Sequence, residues 1–188
     1  MYSRAFKRIF DVAAAGAGLV VLSPVMLAAA LAIRLEDGGP VLFRQTRVGS
    51  DGRTFRVFKF RSMPVDTGDV PSAVAGGLRV TRVGAFIRRT NVDELPQLFN
   101  VLQGHMSVVG PRPALPAQKE LCALRERLGA AGCRPGLTGL AQVNAFDGMP
   151  DETKARFDAD YAASVSLATD LRIILRTFAY LLKPPPVY

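Results

Sequence analysis

The chain has 188 residues, which favours one compact domain that can bury a core without disulfides. Hydrophobic residues make up 49% of it, the mean hydropathy is +0.18, and lysine and arginine outnumber acidic residues by 24 to 16. An apolar and basic chain favours contact with an anionic membrane surface, and the apolar excess argues against nucleic acid as a partner. Two widely spaced cysteines, Cys122 and Cys133, and a single histidine, His105, exclude a CxxC redox motif and a histidine metal site.

The N-terminal apolar segment, 12–33, contains no charged residue and could cross a bilayer as a helix of roughly 30 Å. Ser23-Pro24 lies in its middle, and proline kinks or breaks a helix, while a neighbouring serine can bond to the carbonyls that the kink frees. Basic residues stand on both sides: Arg4, Lys7 and Arg8 before the segment, and Arg34, Arg44 and Arg47 after it. A single span would place one of these groups outside, against the positive-inside tendency, so the pattern favours a helix–break–helix hairpin that enters and leaves by one leaflet. A kinked span and a buried helix of a soluble protein remain alternatives.

Val41 to Arg61 is predicted to form a β-hairpin, because its two ends are rich in strand formers and Gly49-Ser-Asp-Gly52 has the composition of a turn. Six basic residues lie here: Arg44, Arg47, Arg53, Arg56, Lys59 and Arg61. They form either a solvated face or a phosphate-binding surface, and strand alternation must send some of them to each face. The residues that follow, 66–77, are rich in glycine, proline, serine and aspartate and are predicted to form a mobile loop.

Neighbouring carboxylates at Asp93 and Glu94 make the stretch 90–104 the most informative one. We predict a helix with Asp93 as its N-cap, Pro96 in its first turn and Gly104 as its C-terminal stop. Both carboxylates would then lie at a helix N-terminus, where the helix dipole favours negative charge. Taken alone, the pattern also fits an ordinary cap followed by a well-placed glutamate.

Arginines lie on both sides of this acidic pair. Arg88 and Arg89 precede it, and Gly110-Pro-Arg-Pro113 follows it. Two prolines fix the backbone around Arg112, which suits bidentate binding of phosphate, although a solvated arginine in a proline-rich turn is the plainer alternative. Carboxylates among arginines fit an anionic substrate and Mg²⁺, which proteins usually hold with one or two carboxylates together with phosphate oxygens.

Three more helices are expected in the C-terminal third. They cover 116–128, ended by Gly129 and Gly132, then 151–163 with acidic residues in the first turn, and 171–182. The last has apolar residues at helical spacing, with Arg172, Arg176 and Lys183 as flanking cations. It is either a core helix or an amphipathic helix at a membrane interface.

Four sequence blocks, in this order, resemble the bacterial sugar transferase family, the small monotopic phosphoglycosyl transferases that begin glycoconjugate assembly. The blocks are Lys59-Phe-Arg-Ser-Met63, Asp93-Glu-Leu-Pro-Gln-Leu-Phe-Asn-Val-Leu102, Val109-Gly-Pro-Arg-Pro113 and Arg134-Pro-Gly-Leu-Thr-Gly-Leu-Ala-Gln-Val143. The likeness covers essentially the whole chain and is closest to the family's minimal catalytic form. Three positions depart from the family's pattern: His105 replaces an acidic residue, Leu140 a tryptophan, and Asn144-Ala-Phe-Asp-Gly148 an Asn-Gly-Arg.

The resemblance implies roles for individual residues. Asp93 and Glu94 are implied to form an Asp-Glu pair that holds Mg²⁺. Asp93 is implied to be the nucleophile, and the reaction is implied to pass through a covalent phosphosugar–enzyme intermediate. Substrate contacts are implied for Lys59, Arg88, Arg112, Pro113, Asp158 and Tyr161. The fold implied is α+β and mostly helical, a single domain over 1–188. It comprises a re-entrant membrane helix over 1–36 that breaks at Ser23 and Pro24, and a catalytic part over 37–188 with a small β-hairpin and amphipathic interfacial helices.

The function expected from this resemblance is transfer of a sugar 1-phosphate from a UDP-sugar to polyprenyl (undecaprenyl) phosphate, with release of UMP. The reaction would take place on the cytoplasmic face of the bacterial inner membrane. The expected partners are the UDP-sugar, the polyprenyl phosphate and membrane phospholipids. Nucleic acid is not expected, and a homo-oligomer is possible. The rival hypothesis is a non-enzymatic basic membrane-bound adaptor. An adaptor explains the apolar segment and the net charge of +8, but not the acidic pair between arginines.

Overall fold

The computed structural model describes residues 4–67, 80–144 and 149–181 and is mostly helical within them. The elements are α1 (Arg4–Asp37), β1 (Leu42–Val48), β2 (Thr54–Phe60), α2 (Arg82–Arg89), α3 (Gln97–Leu102), β3 (Ser107–Val109), α4 (Lys119–Arg127), β4 (Gly136–Thr138), α5 (Leu140–Asn144), α6 (Asp151–Ala163) and α7 (Leu167–Leu181). Most of the predicted mobile loop, the departure at 145–148 and the end of the last predicted helix lie outside the described residues.

Helix α1 runs without interruption through Pro24, so the predicted break does not divide it into two helices. Pro24 has no N–H, which leaves the carbonyl of Val20 without its helical donor. The hydroxyl of Ser23 donates to that carbonyl at 2.8 Å, as expected for a serine beside the proline. Among the described residues, α1 alone is long and apolar enough to cross a membrane, with a mean hydropathy of 2.2 over its most apolar window.

One side of α1 packs against the rest of the protein along the helix. Ala15 and Leu98 belong to one buried cluster, while Ile33 packs with Phe60 and Ile87 in another. The opposite side exposes large apolar side chains: Ile9, Val12, Val20, Val21, Val25, Leu27, Leu31 and Leu35. The helix therefore has one protein-facing side and one apolar side that no described residue covers.

Both ends of α1 are attached to the same protein body. Near its start, Lys7 lies 2.8 Å from Asp170 of α7, and the buried carboxylate of Asp11 accepts hydrogen bonds from β3. At its other end, Asp37 pairs with Arg61, just after β2. A helix of this length extends roughly 50 Å, so these attachments lie far apart.

The predicted β-hairpin is confirmed: β1 and β2 pair antiparallel from Leu42↔Phe60 to Val48↔Thr54. Its basic residues divide between the two faces, as strand alternation requires. Arg47 and Arg61 are buried, whereas Arg44, Arg53 and Arg56 are exposed. The buried arginines bond within the protein, so the group does not act as one basic surface.

A second sheet, parallel and with only the two strands β3 and β4, was not predicted from the sequence. It brings the residues after β3 next to the turn at Arg134-Pro-Gly136. The predicted helices are confirmed as α4, α6 and α7, although α7 begins earlier, at Leu167. Helix α7 buries Ile173 and exposes Leu171, Leu175 and Phe178, so it has both a core side and an exposed apolar side.

Candidate active site

The acidic pair lies in a 3₁₀ turn, Val92–Glu94, and not at the N-terminus of an α-helix. Helix α3 begins at Gln97, with Pro96 in the capping position, so the prediction that Asp93 is its N-cap is wrong. The N–H of Leu95 donates to Val92 and that of Leu98 to Leu95, three residues back and not four, so 3₁₀ turns precede the α-helix. The prediction that Gly104 ends the helix is confirmed, because this glycine adopts a φ of 83°.

Glu94 is held between two cations. Its Oε1 accepts a hydrogen bond from Lys59 Nζ at 2.7 Å and another from Arg112 at 3.0 Å. Burial alone would raise the pKa of Glu94, but the charges and hydrogen bonds of Arg112 and Lys59 bring it well below its usual range. Glu94 therefore stays ionised and joins β2 to the Gly110–Pro113 turn.

Asp93 is buried beside Glu94 in a different environment. Within the described residues, its carboxylate accepts no hydrogen bond and forms no ion pair. Burial raises the pKa of Asp93 to about 6, with the positive charge of Lys59 opposing this shift and the negative charge of Glu94 adding to it. The carboxylate of Glu94 is thus held by two cations, whereas that of Asp93 has no hydrogen bond or ion pair with a described side chain.

Arg88 approaches the pair from α2. Its Nε donates to Ser62 Oγ at 2.8 Å, within the block that begins at Lys59. Helix α2 packs very closely on that block, because a Cβ on Gly84 would lie 2.0 Å from the carbonyl oxygen of Ser62. Glycine is therefore required at residue 84 to bring Arg88 to the cavity that Asp93 also lines.

The segment 109–114 that carries Arg112 is fixed through its carbonyl oxygens. A buried arginine, a partly buried arginine and two backbone amides donate to it: Arg47 to Pro113 at 3.2 Å, Arg125 to Arg112 at 3.0 Å, Gly136 to Pro111 at 2.8 Å and Val48 to Ala114 at 2.9 Å. Pro111 and Pro113 fix φ as well. The turn therefore holds the half-exposed side chain of Arg112 against Glu94.

Asp158 and Tyr161 are buried, and among the described residues neither side chain bonds to Asp93 or Glu94. Asp158 accepts a hydrogen bond from Arg125 Nε at 2.8 Å. The hydroxyl of Tyr161 lies 3.0 Å from the carbonyl of Val109 and 2.8 Å from Asp170, and burial raises its pKa far above the usual range. Both side chains support the turn, and the substrate contacts predicted for them stay a prediction.

Arg47 and Arg125 were not identified as site residues from the sequence. Arg125 lies in a charged helix and Arg47 in a basic strand, and no local motif marks either one. Their importance comes from contacts with residues far along the chain. Of the departures from the family's pattern, His105 stacks on Phe55, and Leu140 packs against the buried cluster that contains Tyr161.

A metal would have few protein ligands in this site. Among residues 4–67, 80–144 and 149–181, no group of three or more histidine, cysteine, aspartate or glutamate side chains could hold one. Asp93 and Glu94 fit Mg²⁺, because this ion commonly uses one or two carboxylates and completes its shell with water and substrate phosphates.

Comparison with known proteins gives a consistent result. The sequence model of the bacterial sugar transferase family matches residues 2–184. A UDP-glucose:undecaprenyl-phosphate glucose-1-phosphate transferase from Caulobacter vibrioides is 45% identical over 97% of this chain and 72% of that protein. The exopolysaccharide production protein PSS from Rhizobium leguminosarum is 45% identical over 91% and 92%. A UDP-glucose:undecaprenyl-phosphate glucose-1-phosphate transferase from Escherichia coli is 42% identical over 93% of this chain and 40% of its own length.

Proposed function

The chain belongs to the bacterial sugar transferase family and is a phosphoglycosyl transferase, and we propose that it transfers a sugar 1-phosphate from a UDP-sugar to undecaprenyl phosphate. The observation that carries this proposal is the buried Asp93-Glu94 pair, with Lys59, Arg88 and Arg112 around it. Some relatives are named for glucose 1-phosphate and one for N-acetylgalactosamine phosphate, so the proposal leaves the sugar open. The adaptor hypothesis does not explain this grouping of charged side chains around the acidic pair.

We propose a reaction in two displacements, with Asp93 as the nucleophile. An oxygen of Asp93 attacks the β-phosphorus of the UDP-sugar, the bond from that phosphorus to the bridging oxygen breaks, and UMP leaves. The sugar phosphate is then held on Asp93 as an acyl phosphate. A phosphate oxygen of the acceptor attacks the same phosphorus, which frees Asp93 and forms the polyprenyl diphosphate sugar. The absence of a described partner on Asp93 supports its role in attack.

Positive charge is required because an anionic nucleophile approaches an anionic diphosphate. Lys59 and Arg112 lie on Glu94, and Arg88 reaches the cavity beside Asp93, so cations flank the pair on both sides. We propose that Glu94 sets the positions of Lys59 and Arg112. Asp93 and Glu94 would hold Mg²⁺ together with the donor phosphates, and the ion would supply further charge neutralisation.

We also propose that α1 enters and leaves the membrane by the cytoplasmic leaflet, as a re-entrant helix that stays helical but bends at Pro24. Both of its ends bond to the same protein body, through Lys7–Asp170 and Asp37–Arg61. A span would carry one end to the opposite side of the membrane and break one of these attachments. The exposed apolar sides of α1 and α7 would face lipid, with α7 lying at the interface.

This arrangement predicts that both ends of α1 are reached from the cytoplasm only. The test uses single cysteines in a background with Cys122 and Cys133 changed to serine. A cysteine at Arg4 reports the start of α1, and one at Thr46 reports β1, which follows its end. An impermeant maleimide should label neither site in spheroplasts and both in inverted membrane vesicles. Labelling of one site from outside, with a periplasmic cysteine protein as positive control, would establish a span.

The activity is tested by UMP release. Detergent-purified protein with Mg²⁺, undecaprenyl phosphate and a panel of UDP-sugars, beginning with UDP-glucose, should release UMP and form a lipid-linked sugar diphosphate. Omitting the lipid should limit UMP to about one equivalent of enzyme if the covalent intermediate forms. Failure of every UDP-sugar with protein that is folded and membrane-bound would favour the adaptor.

A further inference from the structure

A cavity of about 700 Å³ opens beside Asp93, bounded by the start of β1, the end of β2 and the segment that follows β2. Its walls are mostly apolar, with Val41, Phe43, Phe60 and Met63 among them. Pockets of this size usually bind a small molecule or part of a larger one. None of the roles derived above for the acidic pair and the 109–114 turn uses these apolar walls.

The inner end of the cavity is charged. Lys59, Arg88 and Asp93 all line it, so a phosphate at this end would lie among two cations and the proposed nucleophile. Lys59 is fixed by Glu94 and Arg88 by Ser62, so neither needs to rearrange to face the cavity. Positive charge at one end and hydrocarbon elsewhere match an amphiphilic phosphate.

The wall of the cavity farther from Asp93 in sequence lies just after the C-terminal end of α1. Pro40, three residues after α1 ends, lines it, and the side chains of Leu42 and Val65 at its rim are 40% and 59% exposed. On α1 itself, Leu35 is 75% exposed, so uncovered apolar side chains reach nearly to the helix end next to the cavity. Lipid against α1 would therefore lie close to the opening.

Most polar side chains in the walls are already bonded within the protein. Gln45 accepts from Arg47, and Arg61 is engaged by Asp37 and by backbone carbonyls of Pro40 and Met63. A uracil ring needs hydrogen-bond partners when it leaves water, because burying a polar group without one is costly. Hydrocarbon has no such requirement, so the walls suit an apolar chain better than a nucleoside.

We infer that this cavity binds the first isoprene units of the polyprenyl phosphate acceptor, with the acceptor phosphate at the Lys59 and Arg88 end. The inference rests on the proposed function, since it assigns one of that reaction's substrates to a part of the site. The chain beyond the first units stays in the lipid along α1. The nucleoside of the donor accordingly lies outside this cavity.

A double variant at the rim, Leu42→Gln with Val65→Gln, tests the assignment. Both side chains are substantially exposed, so the fold should tolerate the change, and a melting curve checks this. The KM for undecaprenyl phosphate in mixed micelles should rise by about tenfold, because apolar contact with the chain is lost. The KM for the UDP-sugar should stay within about twofold of wild type. Leu128→Gln, at a 44% exposed leucine after α4 that does not line the cavity, is the matched control and should change neither constant.

The alternatives give different results. A rise in the KM for the UDP-sugar would place the nucleoside in the cavity, and no change in either constant would remove the cavity from the reaction; each overturns the inference while the proposed function stands. If wild type releases no UMP from any UDP-sugar, it is the proposed function that fails. The cavity is then tested without turnover, using a polyprenyl phosphate with a photoreactive diazirine in its first isoprene unit. Cross-links should map to residues 40–65, and cross-links found only elsewhere would refute the inference.

Discussion

The two sides of the acidic pair are built differently, although Asp93 and Glu94 are neighbours in the sequence. On the Glu94 side, Lys59 and Arg112 contact the carboxylate directly, and the turn that carries Arg112 is fixed from behind. On the Asp93 side lies a cavity with apolar walls, and no described side chain bonds to the carboxylate. One side is a rigid support, and the other leaves room for ligands to meet a reactive group.

This difference explains how one short turn provides two carboxylates with opposite properties. Burial raises the pKa of Asp93 to about 6, while Arg112 and Lys59 overcome burial at Glu94 and lower its pKa. The pKa difference arises from the contacts that each side chain makes, since both residues are acidic and both are buried or partly buried. Perturbed carboxylates in a cleft are typical of functional sites, although ion-pair networks perturb pKa values too.

The largest expected effect is that of Asp93→Asn on turnover. The neutral amide cannot attack phosphorus usefully, so activity should fall to about one-thousandth of wild type or less, and excess Mg²⁺ should not restore it. Wild type given UDP-sugar without acceptor should gain the mass of one sugar phosphate on the peptide that contains Asp93, in rapidly quenched samples. Asp160→Asn, at an exposed aspartate of α6, is the control. Rescue by Mg²⁺, or UMP release only when acceptor is present with no adduct trapped, would make Asp93 a metal ligand in a direct transfer.

The next largest effect is expected on the Glu94 side, from Arg112→Lys. Lysine keeps the charge but loses the planar fork that binds phosphate in two places. Activity should fall by tenfold or more, which corresponds to about 1.4 kcal/mol of transition-state stabilisation. Arg89→Lys, at an exposed arginine of α2, should leave turnover within about twofold of wild type. Near-normal turnover of the Arg112 variant would return Arg112 to the role of a solvated arginine.

The pKa shifts predict opposite stability changes for the two neutral variants near pH 7.5 in metal-free buffer. The pKa of Asp93 is raised on folding, so its contribution to stability is present below about pH 4 and lost as pH rises through about 6. Asp93→Asn should therefore raise the melting temperature by a few degrees, since the gain is on the order of 1–2 kcal/mol. At pH 4.5 the difference should shrink. A lower melting temperature at pH 7.5 would show that the ionised carboxylate has a stabilising partner.

Glu94→Gln should show the reverse. The pKa of Glu94 is lowered on folding, so its contribution is present above its unfolded value and is lost as pH falls. The variant should melt at a lower temperature than wild type at pH 7.5, and the gap should narrow in acid. If Asp93→Asn and Glu94→Gln change the melting temperature in the same direction, the two sides do not differ as their contacts indicate.

The sequence was sufficient to predict the elements whose signals are local. The β-hairpin and helices α4, α6 and α7 follow from strand-forming residues, turn glycines and helical spacing, and the structure confirms them. The acidic pair and Arg112 were found through sequence blocks, and the structure brings Arg112 into contact with Glu94. The N-cap assignment of Asp93 failed because the pair lies in a 3₁₀ turn that precedes α3, and no sequence signal separates the two kinds of turn.

The sequence was not sufficient where a role depends on partners far along the chain. The parallel pairing of β3 with β4 joins three-residue strands that have no detectable period. Asp158 pairs with Arg125, which in turn holds the backbone of Arg112, and no local pattern predicted this pairing. The substrate contact predicted for Asp158 stays a prediction. A motif marks such a residue as important without saying whether it acts directly or through another side chain.

The smallest expected effect concerns this indirect support. Arg125 uses Nε for Asp158 and a terminal nitrogen for the carbonyl of Arg112, and lysine lacks these two separate donors in one plane. Arg125→Lys should lower kcat by about three- to tenfold, with the KM for both substrates nearly unchanged. Arg127→Lys, at an exposed arginine two residues along α4, should have no effect.

A double-mutant cycle decides whether Arg125 works through Arg112 or contributes on its own. Suppose that Arg125 acts only by holding the turn that orients the Arg112 guanidinium. In that case the Arg125 change should cause no further loss of activity once Arg112 is lysine. The double variant Arg112→Lys, Arg125→Lys should then be within about twofold of Arg112→Lys alone, because residues that share one interaction are not additive. A double variant whose losses multiply would mean that Arg125 stabilises the site independently of Arg112, for example through α4 and α6 packing. If Arg125→Lys disturbs the fold, its melting temperature should be lower than that of wild type. If it changes only the orientation of Arg112, its melting temperature should stay close to that of wild type.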